Sequence, residues 1–166
     1  MGAFKYDVCA PIVIAALATF AATGYAAEKI DRQDMPSVVI SVFENDHPTA
    51  IETEYLTMEE QGLREYKIIG MIDMKTMNVV YKPDGTVVRT TEEITADLLP
   101  GGVQNTIKSN YPGEQIKTAE KVTMVDNTLY KVELIKKDNS THKILFDGNG
   151  YIMPEKAEEE MPMMVP

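Results

Sequence analysis

The feature that most narrows what this chain can fold into is an internal correspondence at a fixed offset of 64 residues. Pro36 to Pro48 (PSVVISVFENDHP) and Pro100 to Pro112 (PGGVQNTIKSNYP) have the same Pro-to-Pro spacing, and within them Val39 matches Val103, Phe43 matches Ile107 and His47 matches Tyr111. The same offset carries Tyr66, Lys67 and Ile68 onto Tyr130, Lys131 and Val132. After one inserted residue, the turn Pro83, Asp84, Gly85 falls on Gly148, Asn149, Gly150. A recurrence of this length marks one supersecondary unit used twice.

Each unit is expected to open with a helix of about three turns, because the matched apolar positions recur every fourth residue and fall on one face. Asp34 is the expected N-cap of the first helix, with Pro36 in its opening turn, while Pro48 and Pro112 stop the two helices. Strands follow over 51–58, 63–72, 77–81 and 86–89, and again over 116–125, 128–136, 141–146 and 151–153. The turns between them are short, which requires antiparallel hairpins, since parallel strands need long crossovers. Thr91 and the acids after it predict a short helix within 90–99. The expected fold is α+β: two tandem repeats, 27–89 and 100–153, each a short helix on an antiparallel four-stranded β-meander, with a connector at 90–99 and two sheets side by side. The tail 154–166, with four acids and three prolines, is expected to be disordered.

Residues 10–27 carry no charge and are rich in Ala, Ile, Val and Leu, in the manner of a signal peptide. Lys5 supplies a weak basic start diluted by Asp7, and Gly24 and Ala26 suit a cut before Ala27. A retained membrane anchor is the rival reading, but a run of about 18 residues is short for a span. Export is expected either way, to the periplasm or beyond, with no membrane insertion after cleavage. Cys9 precedes the apolar run without the small apolar residues of a lipoprotein site, and residues 27–166 contain no cysteine, so an apolar core must supply the stability. With 26 acids against 16 bases the net charge is −10, a balance that repels nucleic acid and leaves basic or neutral protein partners open.

This arrangement of a leader and repeats of a helix of the form LPxxVxxxIxxxYP, each followed by a meander ending in a (D)xxG turn, resembles the PepSY-like family described as β-lactamase-inhibitor-like. The carriers are Met35, Pro36, Val39, Phe43, His47, Pro48, Tyr66, Asp84 and Gly85 in the first unit. In the second they are Leu99, Pro100, Val103, Ile107, Tyr111, Pro112, Tyr130, Asn149 and Gly150. His47 stands where an aromatic is usual. The resemblance implies a secreted or periplasmic protein related in shape to binders and inhibitors of extracytoplasmic enzymes, and it carries over no catalytic residue.

Patterns for chemistry are sparse. Nucleophilic catalysis needs a hydroxyl or thiol beside an oriented base. His47 lies on the core stripe and is expected to pack there, while His142 has no partner nearby in sequence. Neither histidine has zinc-ligand spacing. Phe146 to Ile152 (FDGNGYI) lacks the alternating ligands and terminal Glu of a calcium loop, and a tight turn accounts for its glycines. Glu59 and Glu60, and Glu158, Glu159 and Glu160, read as solvated surface rather than paired catalytic carboxylates. Met71, Met74 and Met77 recur every third residue and offer soft thioethers to Cu(I), whereas Met161, Met163 and Met164 sit in the tail. Met also fills cores.

The function expected is therefore that of an exported, non-enzymatic binding module without a cofactor, whose partner is a protein or peptide of the cell envelope, an enzyme to be inhibited among them. Tyr55, Tyr81, Asp84 and Asp147 are the expected partner contacts, presented near hairpin turns. The alternatives are methionine-based handling of Cu(I) through Met71, Met74 and Met77, and a structural envelope protein.

Overall fold

The computed structural model describes residues 27–60 and 62–154. The leader expected over 1–26, with Cys9, lies outside the described residues, as does the tail from 155 onward with its glutamates and methionines. Nine strands form one sheet in sequence order: β1 (Glu28–Ile30), β2 (Ile51–Glu60), β3 (Leu63–Ile72), β4 (Lys75–Tyr81), β5 (Val87–Ile94), β6 (Gln115–Met124), β7 (Thr128–Ile135), β8 (Thr141–Asp147) and β9 (Ile152–Met153). Every neighbouring pair is antiparallel. Helix α1 (Ser37–Asp46) connects β1 to β2, and α2 (Gly101–Asn110) connects β5 to β6. Asp73 and Met74, at φ 50° and 63°, make the two-residue β3–β4 loop, whose twist suits the flanking strands.

The sheet is continuous, where two sheets side by side were expected. The reason lies in β5, whose Glu92 pairs with Met77 of β4 on one edge and with Lys121 of β6 on the other. The short helix expected to begin at Thr91 is strand as far as Ile94, and only Ala96–Leu98 turns as a 3-10 helix, capped by Thr95. β-branched Thr90, Thr91 and Ile94, hydrogen-bonded on both sides, outweigh the helix-favouring acids Glu92 and Glu93. Asp34 likewise is not the cap of α1: it ends a 3-10 turn, and Pro36 holds the N-cap position with no side-chain bond.

The helices obey the 64-residue correspondence closely. Pro36 and Pro100 cap their starts at φ −55° and −54°, and the His47 and Tyr111 N–H groups each donate to a helix carbonyl, of Phe43 and Ile107, at 2.9 Å. β-bulges at Glu52/Glu54 and Ile116/Thr118 occupy matched places in β2 and β6. Val39, Ile40 and Phe43 bury against Ile68, Met77, Val79 and Tyr81, whereas Val103 and Ile107, with Leu99, bury against Ala119, Val132, Leu134, Ile144 and Phe146. Full burial of such a side chain stabilises by ~1.5–3 kcal/mol. Met77, Glu92, Lys121, Tyr130 and Phe146 form one cross-strand row, so both helices cover the same face. Between the two apolar clusters that face carries Thr90, Glu92, Lys121 and Thr123, which keeps the cores separate.

The glycine turns lock each helix start to the sheet. Gly85 (φ +87°) faces Val38 and Val42, whose methyls would lie 3.1 and 3.3 Å from an added Cβ. In the second half the backbones themselves touch: a Cβ on Gly102 would meet the Asn149 carbonyl at 2.1 Å, and one on Gly150 (φ +91°) would meet Gly102 at 2.4 Å. Thr106 Oγ1 donates to the Gly150 carbonyl at 2.9 Å. Carboxylates close these turns. Asp84 Oδ1 accepts from the Thr86 N–H at 2.9 Å, Asp138 Oδ1 from the Ser140 N–H at 3.0 Å, and Asp147 Oδ1 from the Asn149 and Tyr151 N–H groups, both at 2.9 Å.

Gly150→Ala is expected to destabilise by ~2–3 kcal/mol, through forced separation of α2 from the turn and an unfavourable φ. Gly101→Ala, whose Cβ enters open space, is expected to be neutral or slightly stabilising. Paired thermal or urea unfolding curves check both. The turn hydrogen bonds hold Asp84 and Asp138 below the usual carboxylate range; for Asp147 partial desolvation opposes the shift, and the Tyr151 and Asn149 N–H donors outweigh it. A folded pKa below the unfolded value of ~3.9 means stability that is present above about pH 4 and is lost as pH falls through the folded pKa. A triple Asp84→Asn, Asp138→Asn, Asp147→Asn variant should therefore melt lower at neutral pH and show a shallower fall of Tm below about pH 4 than the parent.

Candidate functional site

With both helices on one face, the other face of the sheet has no layer over it among the described residues. Solvated sheet faces normally present polar, exposed side chains. Here Val80, Val122, Leu129 and Leu145 all point away from the helices, yet their relative exposures are 2%, 1%, 0% and 6%. Val122, Leu129 and Leu145 form a cluster with Met124 and Met153. Met124 and Met153 pack over part of this group, and the bulges in β2, β6 and between Val80 and Tyr81 are places where strands bend locally.

Charged groups gather on the same face. Lys67 of β3 is half-buried, and its ammonium is held below the usual lysine range by desolvation first, then by Arg89 and Lys131, with Glu120 and Glu54 opposing. Lys131 lies on β7, four strands away, a distance of ~19 Å in a flat sheet. Long side chains leaning toward one another across the intervening strands bring these groups within mutual influence. Cross-strand register sets Leu56, Lys67, Val80, Arg89 and Met124 in one row. The acids on this face are mostly occupied: Glu54 accepts from Lys29 at 2.8 Å, Glu120 lies 4.0 Å from Lys131, and Glu133 accepts from Lys117 at 3.0 Å. Lys67 and Arg89 make no hydrogen bond or ion pair among the described residues.

The residues expected to contact a partner fall elsewhere. Tyr81 is fully buried beneath α1, where desolvation and Asp46 push its phenol pKa up, so it offers a partner no surface. Tyr55 is half-buried on the helix-covered face and donates its hydroxyl to Glu52. Asp84 and Asp147 spend their carboxylates on turn N–H groups. The methionine triplet does not converge. Met77 is buried under α1, Met71 pairs with Thr76 and points to the opposite face, and Met74 stands 92% exposed at the loop tip. Among the described residues no group of three His, Cys, Asp or Glu side chains is placed to hold a metal ion.

The histidines divide. His47 packs on the Phe43 ring at 5.2 Å, in the structural position its helix spacing implies. His142, read from sequence as having no partner, has Nε2 at 2.6 Å from the Glu114 carboxylate and its ring edge-on to Tyr111. A groove of ≈ 500 Å³ at the end of α1 is lined by residues including Phe43, Glu44, His47, Glu52 and Tyr55. Arg32 ties it together, donating to Glu44 at 2.5 Å and to Glu52 at 3.1 Å.

The helix-free face went unread in the sequence, although a signal was there. Val79, Val80, Tyr81 and Ile144, Leu145, Phe146 are unbroken apolar triplets, whereas a strand buried on one face alone alternates. The arrangement can bury apolar area against a partner and set cations beside it.

No family model matches this chain, and no curated protein does. Solved structures do. The chain is similar to a protein described as periplasmic from Bacteroides eggerthii, with 17% identity and a TM-score of 0.61, over 72% of this chain and 86% of that one. A DUF2874 family protein from Bacteroides uniformis matches with 18% identity and a TM-score of 0.60, over 72% and 86% of the two chains. A BLIP-like protein from Bacteroides fragilis matches with 15% identity and a TM-score of 0.54, over 70% and 82%. At these identities the likeness is one of fold: this chain is a mostly antiparallel nine-stranded sheet with two helices, of BLIP-like architecture.

Proposed function

We propose that this chain is an exported, non-catalytic binding module that holds a protein partner against the helix-free face of its sheet. The observation that carries the reading is a broad strand face that no helix covers among the described residues, on which the partly exposed Leu56, Ile69 and Met124 sit beside Lys67 and Arg89 over the buried Val80, Val122, Leu129 and Leu145. Apolar surface bordered by charged groups is how protein interfaces are built. The face spans most of the nine strands, the breadth of a protein footprint rather than a small-molecule pocket. Export is supported by the leader-like run at 10–27 and by the periplasmic description of the Bacteroides eggerthii protein. The target is then a protein of the cell envelope, and inhibition of an enzyme there is the sharper form of the reading. The non-catalytic part rests on the absence of any catalytic motif in the sequence.

The 64-residue correspondence of helices, bulges and core residues supports descent from one duplicated helix-and-meander unit of the PepSY-like kind, with β5 closing the first copy and opening the second. Copper handling draws no support, because the three thioethers lie apart.

Three immobilised forms presented to envelope extract at low salt test the binding face: the parent, a face variant Ile69→Lys with Met124→Glu, and a control Val38→Glu on the exposed side of α1. All three should show the same circular dichroism, with Ser41→Glu, exposed on α1, replacing the control if loss of the Val38 contact with Gly85 perturbs the fold. The parent and the control are expected to retain a common set of proteins, and the face variant to lose it by about tenfold or more. Equal capture by the face variant, or no capture above bare resin by the parent, refutes the assignment.

A further inference from the structure

On the helix-free face, Lys67 and Arg89 flank Val80 in a single cross-strand row, one strand away on each side. Their backbones are thus about 10 Å apart, and two long, flexible side chains can bring their charged ends together over the valine between them. Val80 is 2% exposed, so something already lies over it, and the row holds no acid to account for that cover. The nearby acids have other partners: Glu54 has Lys29 and Glu120 has Lys131. Two neighbouring cations, neither in a hydrogen bond or ion pair among the described residues although Glu120 and Glu54 lie within electrostatic reach of Lys67, are an unusual use of positive charge in a protein of net charge −10.

We propose that Lys67 and Arg89 form the anchor point for one Asp or Glu side chain of the partner protein, received over Val80. The inference rests on the reading of this face as the binding surface. A carboxylate placed there gains charge-assisted hydrogen bonds from both cations in a partly desolvated setting, where such bonds are stronger than in water. It also relieves the repulsion between them, seen in the downward shift of the Lys67 ammonium, to which burial contributes most and Arg89 next. The surrounding Glu54, Glu93 and Glu120 oppose a polyanion, so the site favours a single carboxylate on an otherwise apolar or basic patch over phosphate chains or nucleic acid.

The probe is a capped pentapeptide, Ala-Leu-Glu-Leu-Ala, beside its Gln counterpart, titrated into the purified protein with the methyl signals of Val80, Val122 and Leu129 followed by nuclear magnetic resonance. The Glu peptide is expected to produce saturable shifts at these methyls and to bind about tenfold or more tightly than the Gln peptide, with the difference shrinking as salt is raised. Lys67→Met and Arg89→Met should each remove most of that difference while leaving the Gln peptide's weak affinity unchanged. Lys67→Gln serves in the same role if the Met variant misfolds. Equal binding of the two peptides, shifts centred off this face, or an unaltered preference in both single variants overturns the proposal. A failure here with the face variant still abolishing capture from envelope extract removes the carboxylate anchor alone. Unaltered capture by that face variant removes the binding surface itself.

Discussion

Strand β5 is the constraint on which the rest of the molecule depends. It is hydrogen-bonded along both edges, to β4 and to β6, and it is the one ladder element that joins the helix-and-meander of the first half to that of the second. The side chains of its helix-facing positions are Thr90, Glu92 and Ile94, so the apolar core of the first half ends there and the second begins at Ile94. Neither core is large. Backbone pairing through β5 is what makes two small clusters behave as one body, and the matched parity of the apolar residues, Met77, Val79 and Tyr81 on the same face as Val132 and Phe146, is what puts both helices on the same side. Each helix also enters from the same end of its strand pair, since β1 and β5 run in the same direction in the antiparallel order. The uncovered face is therefore a consequence of where both halves point their apolar side chains.

Much of this was legible in the residues. The two helices fall where the Pro-bounded windows place them, because Val39, Phe43 and Val103, Ile107 recur with helical spacing and the prolines forbid continuation. Strand β3 occupies 63–72 as its alternation implies, and the glycines of the two (D)xxG turns take the positive φ that only glycine tolerates cheaply. The misreadings share one cause, which is that pairing partners far away in sequence decided the local state. Thr91 to Ile94 resembles a helix start in isolation and becomes strand because β4 and β6 lie on either side. His142 resembles a lone histidine because Glu114 is distant in the chain. Tyr81 resembles an interface tyrosine at a strand end, and is buried because α1, more than thirty residues earlier, lies across it. The methionine spacing of three is helical in period, but the segment is a hairpin, and in a hairpin that spacing sends side chains to opposite faces.

The halves also differ in ways that core packing alone does not require. Where the second half presses backbone on backbone at Gly102 and Gly150, the first sets Val38 against Gly85 through methyl groups. Where the first half has Arg32, Glu52 and Tyr55 linked by hydrogen bonds, the matched positions of the second are Ala96, Ile116 and Ala119, of which Ile116 and Ala119 belong to the apolar core. The polar network of the first half is thus an alternative solution to holding a helix end on a sheet, reached with exposed ion pairs worth only ~0–1 kcal/mol each. The second half reaches the same end with apolar contacts and the Glu114–His142 pair.

The helix-free face shows the opposite logic. Lys67 and Lys131 are matched positions, yet Lys131 has the Glu120 carboxylate at 4.0 Å, whereas Lys67 makes no ion pair among the described residues and meets Glu120 and Glu54 only at longer range. A sheet selected for stability alone would place an acid beside Lys67 or replace it with an apolar residue, since a half-buried cation next to Arg89 carries a desolvation cost and a like-charge cost together. Retaining both cations beside shielded valines leaves the free protein short of its most stable arrangement at one defined place. Proteins tolerate such local conflict where a bound partner resolves it, because the same interactions that are unsatisfied in isolation become the specific ones in the complex. The burial of Val80 and Val122 beside them sharpens the effect: a desolvated setting raises both the penalty for leaving those charges alone and the gain from meeting them with an opposite one.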